Sequence, residues 1–76
     1  MKYSARQRAV AAALRKAREA AGLSQRQLSE RLQQPPNWVQ RIESLERRVD
    51  VAEFIAIAKA VGVDPAELFR EVLAAR

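Results

Sequence analysis

The sequence predicts an all-α fold, a compact domain of five helices, and three observations support this prediction. Apolar residues recur at helical spacing, whereas no segment alternates between apolar and polar residues as a half-buried strand would. Alanine is abundant and β-branched residues are few. The 76 residues suffice for one small domain, which buries only about 60–65% of the surface of its unfolded chain.

The first two helices are recognised by their ends. The first is predicted over residues 4–21, starting at residue 4 or 5, and Gly22 provides a stop after its last turn. Ser24, followed three residues later by Gln27, has the form of a capping box, in which the serine accepts from the free amides of a helix start. The second helix is therefore predicted over residues 24–33.

The third helix, predicted over residues 36–45, begins with a proline, which is tolerated there because the first amide of a helix has no helical partner. At about 100° per residue, one arc of this helix is apolar and the other polar. The apolar arc comprises Trp38, Val39 and Ile42, and the polar arc comprises Pro36, Asn37, Gln40, Arg41 and Ser44.

Two further N-terminal signals predict the last two helices. The segment Asp50-Val51-Ala52-Glu53 starts a fourth helix that ends before Gly62. The segment Asp64-Pro65-Ala66-Glu67 starts a fifth, with the aspartate as cap and the proline in the first turn. The core is predicted to contain Val10, Leu14, Leu28, Leu32, Val39, Ile42, Val51, Phe54, Ile55, Ala58, Val61, Val63 and Leu68.

The charge is distributed unevenly. The formal net charge is +5, but residues 1–48 hold eleven Lys/Arg against four Asp/Glu, while residues 49–76 hold three against five. This asymmetry favours a polyanion-binding surface in the first two-thirds of the chain. An arginine-rich but ordinary solvated surface is the alternative interpretation of the charge alone.

The composition argues against several functions. The sequence has no cysteine and no histidine, so it lacks the usual metal ligands and the usual general base near neutral pH. We expect no enzymatic activity, no metal, no cofactor and no membrane segment. The apolar runs are short and no signal-peptide pattern is present, so a cytoplasmic protein is expected.

A short helix, a turn and a second helix with a polar face form a helix-turn-helix arrangement. Asn, Gln and Arg side chains make the paired hydrogen bonds that recognise base edges in the major groove. Ser24 at the start of the second helix suits a phosphate contact, and Arg47 and Arg48 after the third helix suit clamping of the DNA backbone.

The segment AGLSQRQLSERLQQPPNWVQRIESLERRVDVAEFIAIAKAVGVDPAELF resembles the Xre family of helix-turn-helix regulators, which includes the phage Cro and lambda-type repressor DNA-binding domains. The resemblance covers about residues 6–70. It implies a single domain over residues 6–75 of the lambda-repressor-like fold, with an N-terminal arm at residues 1–5. It also implies binding to double-stranded operator DNA, commonly as a homodimer.

The resemblance assigns roles to individual residues. Base-reading positions are Pro36, Asn37, Gln40 and Arg41, where the proline can offer only an apolar contact, for example to a thymine methyl group. Arg41 is the strongest base-reading candidate, and a phosphate contact is its alternative. Asn37 and Gln40 could equally contact phosphate or make no contact with DNA. Arg18 and Glu43 match a structural ion pair between the first and third helices. Phosphate contacts are expected from Ser24, Gln25, Trp38, Ser44, Arg47 and Arg48. Gln25 could contact a base instead, and Trp38 is mainly a packing residue.

The chain departs from the family pattern at two turns. Gln33 and Leu45 stand where the family usually has glycine. Leu45 could belong to the core, or the third helix could continue before it turns. The path of the segment Glu46-Arg47-Arg48 depends on which of these holds.

The fifth helix carries more apolar residues than a surface helix needs, namely Leu68, Phe69, Val72 and Leu73. They could complete the intrachain core, but we expect a two-fold dimer interface that places two recognition helices one DNA turn apart. The sequence therefore predicts a homodimeric transcriptional repressor or controller. The alternative is an antitoxin or adaptor of the same fold whose main role is to bind a partner protein.

Overall fold

Five α-helices make up the part of the chain that the computed structural model describes, residues 4–75. No strand occurs in this part, which confirms the predicted all-α fold. None of the five helices is long and apolar enough to cross a membrane. In chain order they are α1 (Ala5–Ala20), α2 (Gln25–Arg31), α3 (Trp38–Glu43), α4 (Val51–Ala60) and α5 (Pro65–Ala74).

Side-chain caps fix the starts of four helices. Ser4, Ser24 and Asp50 each accept from the amide three residues later, and that later side chain accepts in return from the amide of the capping residue. Asp64 accepts from the amide of Ala66. Each cap satisfies amides that lack helical partners and stabilises its helix by about 1 kcal/mol. Residues 1–3 of the predicted arm lie outside the described part, and Ser4 already belongs to the cap of α1.

The predicted bounds of α2 and α3 are too wide. The backbone carbonyl of Pro35 accepts from the amide of Trp38 at 2.9 Å, so Pro36 and Asn37 form a turn before α3 instead of its first residues. Asn37 is the N-cap without a side-chain cap bond, and Ser44 is the C-cap. At the end of α2, Leu32 is the C-cap.

Two residues adopt left-handed backbone conformations without being glycine. Gln33 has φ +56° and Leu45 has φ +66°. The resemblance described above implies glycine at these two positions, and a left-handed backbone is the conformation that glycine adopts most easily. A β-carbon in this region costs roughly 1–2 kcal/mol per residue. After Leu45 the chain turns back, so that the amides of Glu46 and Arg47 both donate to the carbonyl of Arg41, at 2.9 and 3.1 Å.

The core lies between α1, α3, α4 and α5, and is closed by α2. Its buried apolar residues are Ala13, Leu14, Ala17, Leu28, Trp38, Val39, Ile42, Phe54, Ile57, Ala58, Leu68 and Val72. Four predicted core residues, Val10, Leu32, Val61 and Val63, are only partly buried at its edge.

Two residues that were predicted to lie in the core are exposed, and two residues that were predicted to form the dimer interface lie in the core. Val51 is 76% exposed and Ile55 39% exposed, because α4 buries the neighbouring row through Phe54, Ile57 and Ala58. On α5, Leu68 and Val72 are each 1% exposed, so they complete the intrachain core and cannot form the predicted dimer surface. Phe69 and Leu73, at 51% and 55% exposure, do lie outside.

Candidate nucleic-acid interface

The outer face of α3, with its flanking residues, is polar and exposed. Pro36, Asn37, Gln40, Arg41 and Ser44 are all exposed, and we call them the outer face. The opposite side is buried, with Trp38 at 6% exposure and Val39 and Ile42 at 3% each. The division of the helix that its sequence predicts is therefore confirmed.

Arg41 presents a guanidinium group without a partner. Within residues 4–75 its side chain makes no hydrogen bond or ion pair, and its backbone groups are used in the helix and its C-terminal turn. An exposed guanidinium group is fully available to a ligand, because no intramolecular bond must be broken first. Its five N–H donors suit planar, bidentate acceptors.

Ser29 joins α2 to α3. Its hydroxyl donates to the carbonyl of Gln25 at 3.0 Å and accepts from the amide of Val39 at 3.0 Å. The residue is 0% exposed, so neither bond competes with water. A small side chain with one donor and one acceptor therefore sets the distance between the two helices. The sequence analysis missed this residue, because a serine inside a helix has no distinctive pattern.

A buried ion pair connects α1 to the end of α3. The Arg18 guanidinium donates to both carboxylate oxygens of Glu43, at 2.7 and 3.0 Å, and to the carbonyl of Leu23 at 2.7 Å. The side chains of Arg18 and Glu43 are only 10% and 5% exposed. Hydrogen bonding to Glu43 raises the pKa of Arg18 above its ordinary high value. The contact expected between these two residues is present.

Gln25 takes part in the same network. Its Nε2 donates to Oε1 of Glu43 at 2.8 Å, and the residue is partly buried. The amide oxygen of Gln25 faces no described donor, so a DNA contact by this residue would use a side chain that is already fixed in position. Ser24 is exposed and serves as the cap of α2.

Arg47 has intramolecular partners. Its guanidinium donates to both oxygens of Glu53, at 3.0 and 2.7 Å, and to the carbonyl of Arg48 at 2.8 Å. It also lies over the ring of Trp38, 5.2 Å from the centroid. The hydrogen bonds raise the pKa of Arg47 and lower that of Glu53. A DNA-backbone contact by Arg47 would have to compete with these interactions. The next residue, Arg48, is exposed.

Glu46 lies at the edge of the outer face. Its Oε2 accepts from the hydroxyl of Ser44 at 2.8 Å and from Nε2 of Gln40 at 3.5 Å. Both donors belong to the set predicted to contact DNA. The sequence pattern contained no signal for this contact, because it depends on the backbone turn at Leu45.

Comparison with known proteins agrees with this geometry. Residues 9–70 match the family model described as a helix-turn-helix domain. A solved XRE-family-like protein from Pseudomonas syringae pv. tomato is 40% identical, covers 92% of this chain and 85% of its own, and superposes with a TM-score of 0.85. The chain belongs to the Xre family of helix-turn-helix proteins.

A second solved structure shares the fold. It is the clp gene regulator ClgR from C. glutamicum, which is 24% identical, covers 93% of this chain and 92% of its own, and has a TM-score of 0.81. No curated protein matches the sequence significantly. Membership of the Xre family, together with the helix-turn-helix geometry, makes the chain a DNA-binding regulator.

Proposed function

We propose that the protein is a sequence-specific regulator that inserts α3 into the major groove of an operator. The observation that carries the proposal is the outer face, where unpaired Arg41 lies beside Asn37 and Gln40 on a helix held by buried bonds on its other side. A rigid helix keeps these side chains in one register with the base edges. Arg41 binds guanine O6 and N7, and Asn37 and Gln40 suit adenine.

Charge supports DNA as the ligand. The balance of +7 over residues 1–48 lies in the part of the chain that contains α1 to α3, while residues 49–76 carry −2. We assign phosphate contacts to Ser24 and Gln25, at the start of α2, and to Arg48, in the connection between α3 and α4. Pro36 contributes an apolar contact to a base, for example to a thymine methyl group.

The functional unit is a homodimer, formed through the exposed apolar residues of α5. Phe69 and Leu73 lie one turn apart, and Phe69 packs edge-on against Phe54 with ring centroids 6.3 Å apart. A two-fold axis beside α5 would place two α3 helices about 34 Å apart, the spacing of successive major grooves. Such a dimer represses or controls transcription by occupying a palindromic operator.

The dimer is tested by sedimentation velocity at tens of micromolar without DNA. We expect a dimer for the wild type and a folded monomer for the variant Phe69→Ser/Leu73→Ser. A wild type that remains monomeric at these concentrations contradicts a preformed dimer.

DNA recognition is tested by fluorescence anisotropy with a selected oligonucleotide pool and a random duplex, each at two salt concentrations. The operator should bind about a thousand-fold more tightly than the random duplex, and its affinity should fall steeply with salt. Arg41→Ala should cost ~1–3 kcal/mol on the operator and much less on random DNA.

The matched control is Lys59→Ala, which removes one exposed positive charge from α4 instead of α3. It should weaken both duplexes slightly and equally. If Arg41→Ala weakens both duplexes equally as well, Arg41 does not read a base. If the wild type shows no preference among duplexes, the proposal is wrong, and a partner protein becomes the ligand to identify.

A further inference from the structure

We propose that the Glu46 carboxylate is an internal competitor of DNA phosphate. This inference rests on the proposed function, since it assumes that the outer face lies against DNA. The carboxylate accepts from Ser44 at 2.8 Å and is within 3.5 Å of Nε2 of Gln40. A backbone phosphate is also an anionic oxygen acceptor, so it would use the same donors.

The competition follows from the donor inventory. A serine hydroxyl carries one hydrogen, and Ser44 directs it to Oε2 of Glu46 or, at 3.3 Å, to the carbonyl of Arg41. While that hydrogen is used, Ser44 offers only lone pairs to an approaching phosphate. The predicted phosphate contact of Ser44 therefore requires that the carboxylate first be displaced, and the carboxylate itself repels the phosphate.

Helix stability does not account for an acid at this position. Glu46 follows the C-terminus of α3, where the helix dipole disfavours negative charge. Its backbone is held independently of its side chain, because its amide donates to the carbonyl of Arg41 at 2.9 Å. The left-handed conformation of Leu45 turns the chain so that the carboxylate reaches back to the outer face. The fold thus places a negative charge beside the residues that meet DNA.

The consequence is lower affinity for phosphate on every duplex. With one phosphate contact suppressed at this end of α3, the base contacts of Arg41 and Asn37 supply a larger share of the operator affinity.

The test is a mutant cycle with Glu46→Ala, Ser44→Ala and the double variant, measured by anisotropy on operator and random duplexes over a range of salt. Glu46→Ala should tighten both duplexes by roughly tenfold or more, as one recovered charge-assisted hydrogen bond would. Ser44→Ala alone should change affinity less than about twofold, but in the Glu46→Ala background it should remove most of the gain.

The control is Glu71→Ala, which removes an exposed carboxylate from α5 and changes the net charge equally. If Glu46→Ala behaves like Glu71→Ala, there is no local competition. If Glu46→Ala weakens operator binding alone, Glu46 reads a base donor and the inference is overturned. The random duplex keeps the test separate from the proposed function, because the competition is measured there even if no operator is preferred.

Discussion

Two ion pairs of similar geometry allow the contribution of burial to be measured within one chain. Arg18–Glu43 and Arg47–Glu53 both have two-pronged hydrogen bonds with a shortest distance of 2.7 Å. Their side chains are 10% and 5% exposed in the first pair, and 32% and 23% exposed in the second. The perturbation is the same in each: Glu43→Gln or Glu53→Gln removes one charge and preserves shape.

The expected costs differ several-fold. Glu43→Gln leaves the buried guanidinium of Arg18 without its counter-charge, which costs ~3–5 kcal/mol when a partner is lost outright. The lower end of this range applies, because the glutamine oxygen can still accept one bond, so we expect about 3 kcal/mol. Glu53→Gln should cost about 1 kcal/mol or less, since the pair is partly solvated. Glutamine also retains the capping-box bond to the amide of Asp50.

The assay is urea unfolding followed by circular dichroism, with the slope m held common to all variants. A domain of this size has roughly 4–11 kcal/mol of stability in total, so a loss of 3 kcal/mol is readily resolved. The double variant Arg18→Met/Glu43→Leu should recover much of the loss, because it removes both buried charges. Equal costs for Glu43→Gln and Glu53→Gln, within about 0.5 kcal/mol, would refute the reasoning that burial determines the cost.

Three further predictions concern the backbone, an inter-helix contact and pH. Gln33→Gly should raise the free energy of unfolding by about 0.5–1 kcal/mol in urea titrations, because relief of the left-handed strain exceeds the entropy cost of glycine. A lower free energy of unfolding in this variant would show that the backbone at residue 33 is not strained. Ser29→Ala should lower the free energy of unfolding by about 1–3 kcal/mol, since the buried amide of Val39 loses its acceptor. An unchanged urea midpoint would show that this amide donates to another acceptor in the variant. Hydrogen bonding to Arg47 lowers the pKa of Glu53, so its stabilisation is complete above the unfolded pKa of about 4.3 and is lost as pH falls through the lower folded value. Stability measured from pH 6 to pH 3 should therefore fall less steeply in Glu53→Gln than in the wild type.

The sequence predicted the helices from their caps, because a cap is a local interaction. The same local logic located Ser24 and Asp50 correctly. The prediction placed the start of α3 too early, because Pro36 and Asn37 suit a tight turn as well as a first helical turn. Propensity alone could not separate these two outcomes.

Burial was harder to predict on the last two helices. Val51 and Ile55 are as apolar as their buried neighbours, so only the packing angle of α4 decides which row faces the core. Leu68 and Phe69 differ in the same way on α5. In the candidate site, the polar arc of α3 could be predicted from helical periodicity. The contacts of Arg47 with Glu53 and Trp38 could not, because they depend on the path of the connection after α3.

Trp38 gives the protein its own optical probe. It is the only tryptophan in the chain, it begins α3, and its ring lies under the guanidinium of Arg47. Its emission therefore depends on whether the start of α3 stays packed and whether Arg47 stays in place. A change in that emission on adding DNA would report motion at the recognition helix without any attached label.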